Sequence, residues 1–101
     1  MNDVVLEVIL QRIPRKIDSK VRKEGDYYVA LSPIMGAFIS MNGFAGKIYE
    51  MIDGRICIND IVNQIAGIYN DIPINKIKTD ICRCISDLES FNLITVVREN
   101  Y

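Results

Sequence analysis

Apolar residues recur at helical spacing through three blocks between Met41 and Val97, and turn signals separate the blocks. Phe44, Ile48, Met51 and Ile52 form the first stripe, in a helix that Asn42 caps and that runs to about Ile52. Asp53-Gly54 ends it, and Ile56 to Ile58 adds a short extended piece before Asn59 caps the second helix, whose core face is Ile61, Val62, Ile65, Ile68 and Tyr69. After the break at Asn70-Asp71-Ile72-Pro73, Ile74, Ile77, Ile81, Cys84, Ile85 and Leu88 define a long third helix. Asn92 stands at its end, where a left-handed residue is needed, and Leu93 to Val97 reads as an extended tail.

Upstream the period changes to two. Ile17 to Lys23 alternates, Glu24-Gly25-Asp26 supplies a turn, and Tyr27 to Leu31 alternates again, which predicts a hairpin. Ser32-Pro33 interrupts pairing, and Ala37 to Met41 resumes as a third strand with Ala37, Ile39 and Met41 on one face. The predicted class is α+β: an N-terminal three-stranded antiparallel sheet followed by a three-helix bundle, with the last two helices and the tail ordered like a small winged helix-turn-helix. Residues 1–14 form a separate arm ahead of a single domain over 15–101. The spacing of Val5, Leu6, Ile9, Leu10 and Ile13 suits a helix, and that of Val4, Leu6 and Val8 a strand, so both stay open. The arm is too apolar to stand alone in water and packs on its own domain or on a second copy.

Composition narrows the function. At 101 residues and 50% hydrophobic content, one small core is expected. Twelve basic against thirteen acidic residues argue against whole-chain attraction to nucleic acid or an anionic membrane. No apolar run reaches the roughly 20 residues that a membrane span needs, and Asn2 and Asp3 do not open a secretory signal, so the chain reads as cytoplasmic. Three cysteines make no complete disulfide set. Histidine is absent, and with it the commonest metal ligand and general base. Cys82 and Cys84 point to nearly opposite sides of a helix and lie far from Cys57, so they do not read as a metal motif; Cys57 and Cys84 read as small buried hydrophobes. No phosphate-cradling loop and no nucleophile–base pair is present, so the chain is expected not to be an enzyme and to need no cofactor. Gly43-Phe44-Ala45-Gly46 has the spacing of an RNA-binding GxxG loop, but such a loop joins two helices and usually has basic neighbours, and the match is rejected.

Gly25, Pro33, Met41-Asn42, Ile48, Asp53-Gly54, Ile61-Val62, Tyr69, Asp80-Ile81, Leu88 and Leu93-Ile94 together carry a resemblance to PqqD and to the wider group of precursor-recognition domains, over about Arg15 to Val97. The resemblance implies a non-catalytic protein that binds the leader of a ribosomally synthesised precursor peptide. It would present that peptide to a separate modification enzyme, such as a radical S-adenosylmethionine enzyme, a leader peptidase or a cyclase. In such domains the leader adds as a strand to the open edge of the third strand, here Ala37, Phe38, Ile39, Ser40 and Met41, and the third helix forms the opposite wall. Helical geometry sets Lys78, Cys82, Ile85 and Glu89 on one flank of that helix and Lys76, Arg83 and Asp87 on the other. The first flank is the expected groove wall. Two other readings compete. One is a winged-helix DNA-binding protein using Lys76, Lys78 and Arg83, which Asp80, Asp87 and Glu89 on the same helix oppose; the other is a homodimerisation module built on the arm.

Overall fold

Tyr27–Leu31 is the middle strand, β3, of a three-stranded antiparallel sheet in the computed structural model, which describes residues 3–96. On one side β3 pairs with β2 (Val21–Glu24), and Gly25 takes φ +61° at the first central position of the two-residue turn, as a type II′ hairpin requires. On the other side it pairs with β4 (Phe38–Met41), with Ala30 opposite Ile39 and Tyr28 opposite Met41. The β3–β4 connection is organised on the buried Ser32. Its N–H donates to the Ala37 carbonyl at 2.9 Å, its carbonyl accepts from the Gly36 N–H at 2.8 Å, and its Oγ accepts from the Met35 N–H at 3.3 Å.

Helices cover one face of the sheet. α2 (Gly43–Met51) starts at Asn42, whose Oδ1 accepts the Ala45 N–H at 2.8 Å. It lies against β3 so closely that a Cβ on Gly46 would sit 1.9 Å from Tyr28 Cδ1. This close approach accounts for the glycine that the GxxG spacing had brought to notice. α3 (Ile58–Ile68) begins two residues ahead of its expected start, because Cys57 and not Asn59 takes the cap position and the Asp60 carboxylate reaches back to the Cys57 N–H at 3.1 Å. Ahead of it, Asp53 Oδ1 accepts the N–H groups of Arg55 and Ile56, which hold its carboxyl below the usual carboxylate range. α4 (Ile74–Ser90) ends in a Schellman pair, Leu93 N–H to the Leu88 carbonyl and Asn92 N–H to the Glu89 carbonyl, with Asn92 at φ +59° as the sequence predicts.

Two features go beyond expectation. Of the two conformations left open for the amino-terminal segment it takes the helical one, α1 (Asp3–Leu10), so the described residues hold four helices rather than three. Leu10 is buried in the common core, and Leu6 and Ile9 pack against it. The tail, expected as an extended piece, pairs with residues 14–16, for which the sequence predicts no strand. β1 (Pro14–Lys16) and β5 (Ile94–Val96) form a two-stranded antiparallel ladder, Pro14 opposite Val96 and Lys16 opposite Ile94. The tail's last predicted residue, Val97, lies outside the described residues. Burial follows the predicted stripes except at their ends: Ile48, Ile52, Ile61, Val62, Ile65, Ile77, Ile81, Cys84, Ile85 and Leu88 are buried, whereas Ile68, Tyr69 and Ile74 are exposed, and Cys57 is half-buried. They sit in the first and last turns, where a helix has passed the end of the elements it packs on.

Candidate functional site

β4 is an outer strand, and only one of its sides is paired among the described residues. Antiparallel pairing alternates, so the Ser32–Ala37 bond fixes which backbone groups face β3. Ala37, Ile39 and Met41 turn theirs toward β3; Phe38 and Ser40 turn theirs to the open edge. The strand is uncharged, Phe38 is 76% exposed, Ile39 is half-buried and Met41 is buried. A row of free donors and acceptors beside apolar side chains is a template for an extended chain.

That edge borders a cleft of about 570 Å³ between β4 and α4. Ile39, Ser40, Met41 and Phe44 line it from the sheet and the start of α2. Ile65 and Tyr69 contribute from α3, and Asp80, Arg83, Cys84, Asp87, Leu88 and Phe91 from α4 and its end. The floor is apolar and the charges stand on the α4 side. Lys76 Nζ is 3.2 Å from Asp80 Oδ2, an exposed i, i+4 pair. Burial, aided by the Asp87 carboxylate, pushes the Cys84 thiol up to about 11, so it stays protonated and apolar at neutral pH.

The predicted site residues fall into two groups. Phe38 to Met41 form the open edge, and Ile39, Ser40 and Met41 line the cleft; Ala37 precedes the strand and is held by Ser32. From α4, however, the structure brings Arg83 and Asp87 to β4, and not Cys82, Ile85 or Glu89. Those three line a second cleft, between α4, α1 and β5, with Leu6, Ile9 and Val96, and Arg83 and Asp87 stand on the ridge that borders both clefts. Lys78 lines neither. The reason is the roll of α4: with Ile77, Ile81, Cys84 and Leu88 seated in the core, the positions 80, 83 and 87 turn toward the sheet. Glu89 has a local task as well, since its carboxylate accepts the Val96 N–H at 3.3 Å. Sequence periodicity held no signal for choosing between the two flanks, because the choice depends on where α1 and β5 lie. Phe44, Tyr69 and Phe91, which complete the cleft, read in sequence as core or helix-end residues.

Among the described residues, no group of three potential ligands is placed to hold a metal ion, and no helix is long and apolar enough to cross a membrane.

A small sheet with one bare, uncharged edge beside an apolar cleft has the form of a peptide-docking surface. The family model of coenzyme PQQ synthesis protein D (PqqD) matches residues 27–94, about two thirds of the chain, and the protein belongs to that family. The matched span runs from β3 through α4 to the first residue of β5. No curated protein and no solved structure matches the chain.

Proposed function

We propose that this protein binds the leader segment of a ribosomally synthesised precursor peptide and presents it to a separate modification enzyme. The leader orders as an antiparallel strand along β4, exchanging hydrogen bonds with the backbone of Phe38 and Ser40. Its inward side chains enter the cleft over Ile39, Met41 and Phe44, against Cys84, Leu88 and Phe91. On α4 the specificity wall is Asp80, Arg83 and Asp87, the flank that shares the cleft with β4. Cys82, Ile85 and Glu89 sit behind it and Lys78 beside it. Holding leader and enzyme together raises the precursor's local concentration at the active site, so a modest leader affinity suffices. The protein itself catalyses nothing in this scheme and works in the cytosol, where its three free thiols stay reduced.

The observation that carries the reading is the pairing of the open β4 edge with an apolar cleft, and PqqD membership adds independent support. The order α3–α4–β5 reads as winged-helix-like. Asp80 and Asp87 beside Arg83 would repel phosphates, which favours a peptide over a duplex in the cleft. The test is an NMR titration of labelled protein with synthetic leader peptide from a short reading frame beside the gene, and separately with mixed-sequence duplex DNA. Shifts confined to residues 38–41 and the cleft side of α4, with leader alone, are expected. Shifts with DNA alone around Lys76 to Arg83 would overturn the reading.

A further inference from the structure

Leader binding uses one end of the molecule, and a different chemistry collects at the other. Between residues 12 and 23 stand Arg12, Arg15, Lys16, Lys20, Arg22 and Lys23 against Asp18 alone, a local charge of +5 in a chain whose formal net charge is −1. All except the half-buried Arg12 are exposed. Among the described residues only Arg22 of these has an ion-pair partner, Glu24 on the same strand.

Two of the lysines are held in place. Lys16 Nζ lies 4.8 Å from the centre of the Tyr49 ring, and Lys23 Nζ lies 5.8 Å from that of Tyr28. The rings are neighbours, since Tyr28 packs on Gly46, one turn from Tyr49 along α2. A cation resting on a ring face has already lost part of its side-chain freedom, so less is lost when a partner arrives. Glu50 accepts the Tyr28 hydroxyl at 2.9 Å. The strip follows β1 and β2, and β2 is the edge of the sheet on the far side of β3 from β4.

We propose that this strip, centred on Lys16 and Lys23 over the Tyr49 and Tyr28 rings and extended by Lys20, is a docking face for an acidic protein surface, that of the modification enzyme, so that enzyme and leader bind on opposite sides of β3. The identity of the partner rests on the leader reading; the charge complementarity does not. Unpaired exposed cations steer an acidic surface into contact and make the association salt-dependent.

The test uses a decaglutamate peptide as the acidic probe, titrated into the labelled protein and into Lys16→Gln/Lys20→Gln/Lys23→Gln, with the synthetic leader titrated into both. The expected result is shifts at residues 15–23, Tyr28 and Tyr49, binding about tenfold weaker in the variant, and an unchanged leader response at β4. Lys20→Gln/Lys23→Gln, which spares the Lys16–Tyr49 contact, serves if the triple variant loses its folded spectrum, with a smaller loss expected. Equal shifts at Lys76, Lys78 and Arg83, or unchanged affinity in the variants, overturn the proposal. So does tighter binding of duplex DNA than of decaglutamate at the strip, which would make it a nucleic-acid face. If neither protein responds to leader while decaglutamate behaves as expected, the leader reading fails and the acidic-surface face stands.

Discussion

The two edges of the three-stranded sheet face the same problem and meet it in opposite ways. β2 reads Val-Arg-Lys-Glu, carries an ion pair between Arg22 and Glu24, and has Lys23 over the Tyr28 ring. β4 reads Phe-Ile-Ser-Met, has no charge, and borders an apolar cleft. Charged side chains on an edge discourage other strands from pairing there, and lysine is the residue most often used for it. One edge is thus closed to added strands and the other is left open, although both pair with the same central strand. The contrast supports the proposed placement of the leader on β4, since an exposed, neutral edge is a hazard in a protein that has no use for it.

The comparison breaks most completely at what the edges share. Gly46→Ala drives a methyl group into the ring of Tyr28, which is fixed between β3 and α2 with its hydroxyl on Glu50. Overpacking of this kind costs about 3 kcal/mol, read by urea unfolding, and should weaken leader binding and the β2 face together. A variant of unchanged stability would show that the sheet is not held to α2 through Tyr28.

A pair of prolines separates the edges. Ser40→Pro removes an outward N–H from β4 without touching the β3 ladder, and leader affinity measured by calorimetry is expected to fall about tenfold for one lost hydrogen bond. The matching change on β2 is Lys23→Pro, because the bond from Leu31 N–H to the Lys20 carbonyl sets Lys20 and Arg22 toward β3 and Lys23 outward. It should leave leader affinity unchanged. Equal losses at both positions would dissolve the distinction.

The smallest effect is chemical. Burial holds the Cys84 thiol near 11, above its ordinary value of 9.0, so the neutral thiol is favoured in the folded state. That contribution to stability is fully present below about pH 9 and is lost as pH rises through about 11. Alkylation at about pH 8 should therefore modify the half-buried Cys57 while Cys84 stays untouched until unfolding. Early labelling of Cys84 would mean that the wall of the cleft opens readily, with no equivalent at the β2 edge.

Much of this architecture is legible in the chain because it is local. The Gly25-Asp26 hairpin, the Asn42 cap, the stripe of α4 and the left-handed Asn92 each depend on residues within a few positions of one another. The β1–β5 ladder does not: its two strands, three residues each and about 80 positions apart, are too short to carry a periodicity of their own, and only their meeting makes them strands. The cleft is legible in half. Alternation marks Ala37–Met41 as a strand and the family resemblance marks it as the open one, whereas the wall opposite depends on the roll of α4, set by α1 and β5 packing behind it. Cys57 was unreadable as a cap for a related reason, since the bond that stabilises its position is made by Asp60 reaching back.

The β1–β5 ladder has a consequence for engineering. Pro14 and Val96 are directly paired, so the chain enters and leaves this ladder at one point, with Cα atoms on the order of 5 Å apart. A disulfide across these two positions would therefore close residues 14–96 into one ring, while α1, whose Leu10 sits in the common core, stays attached outside it.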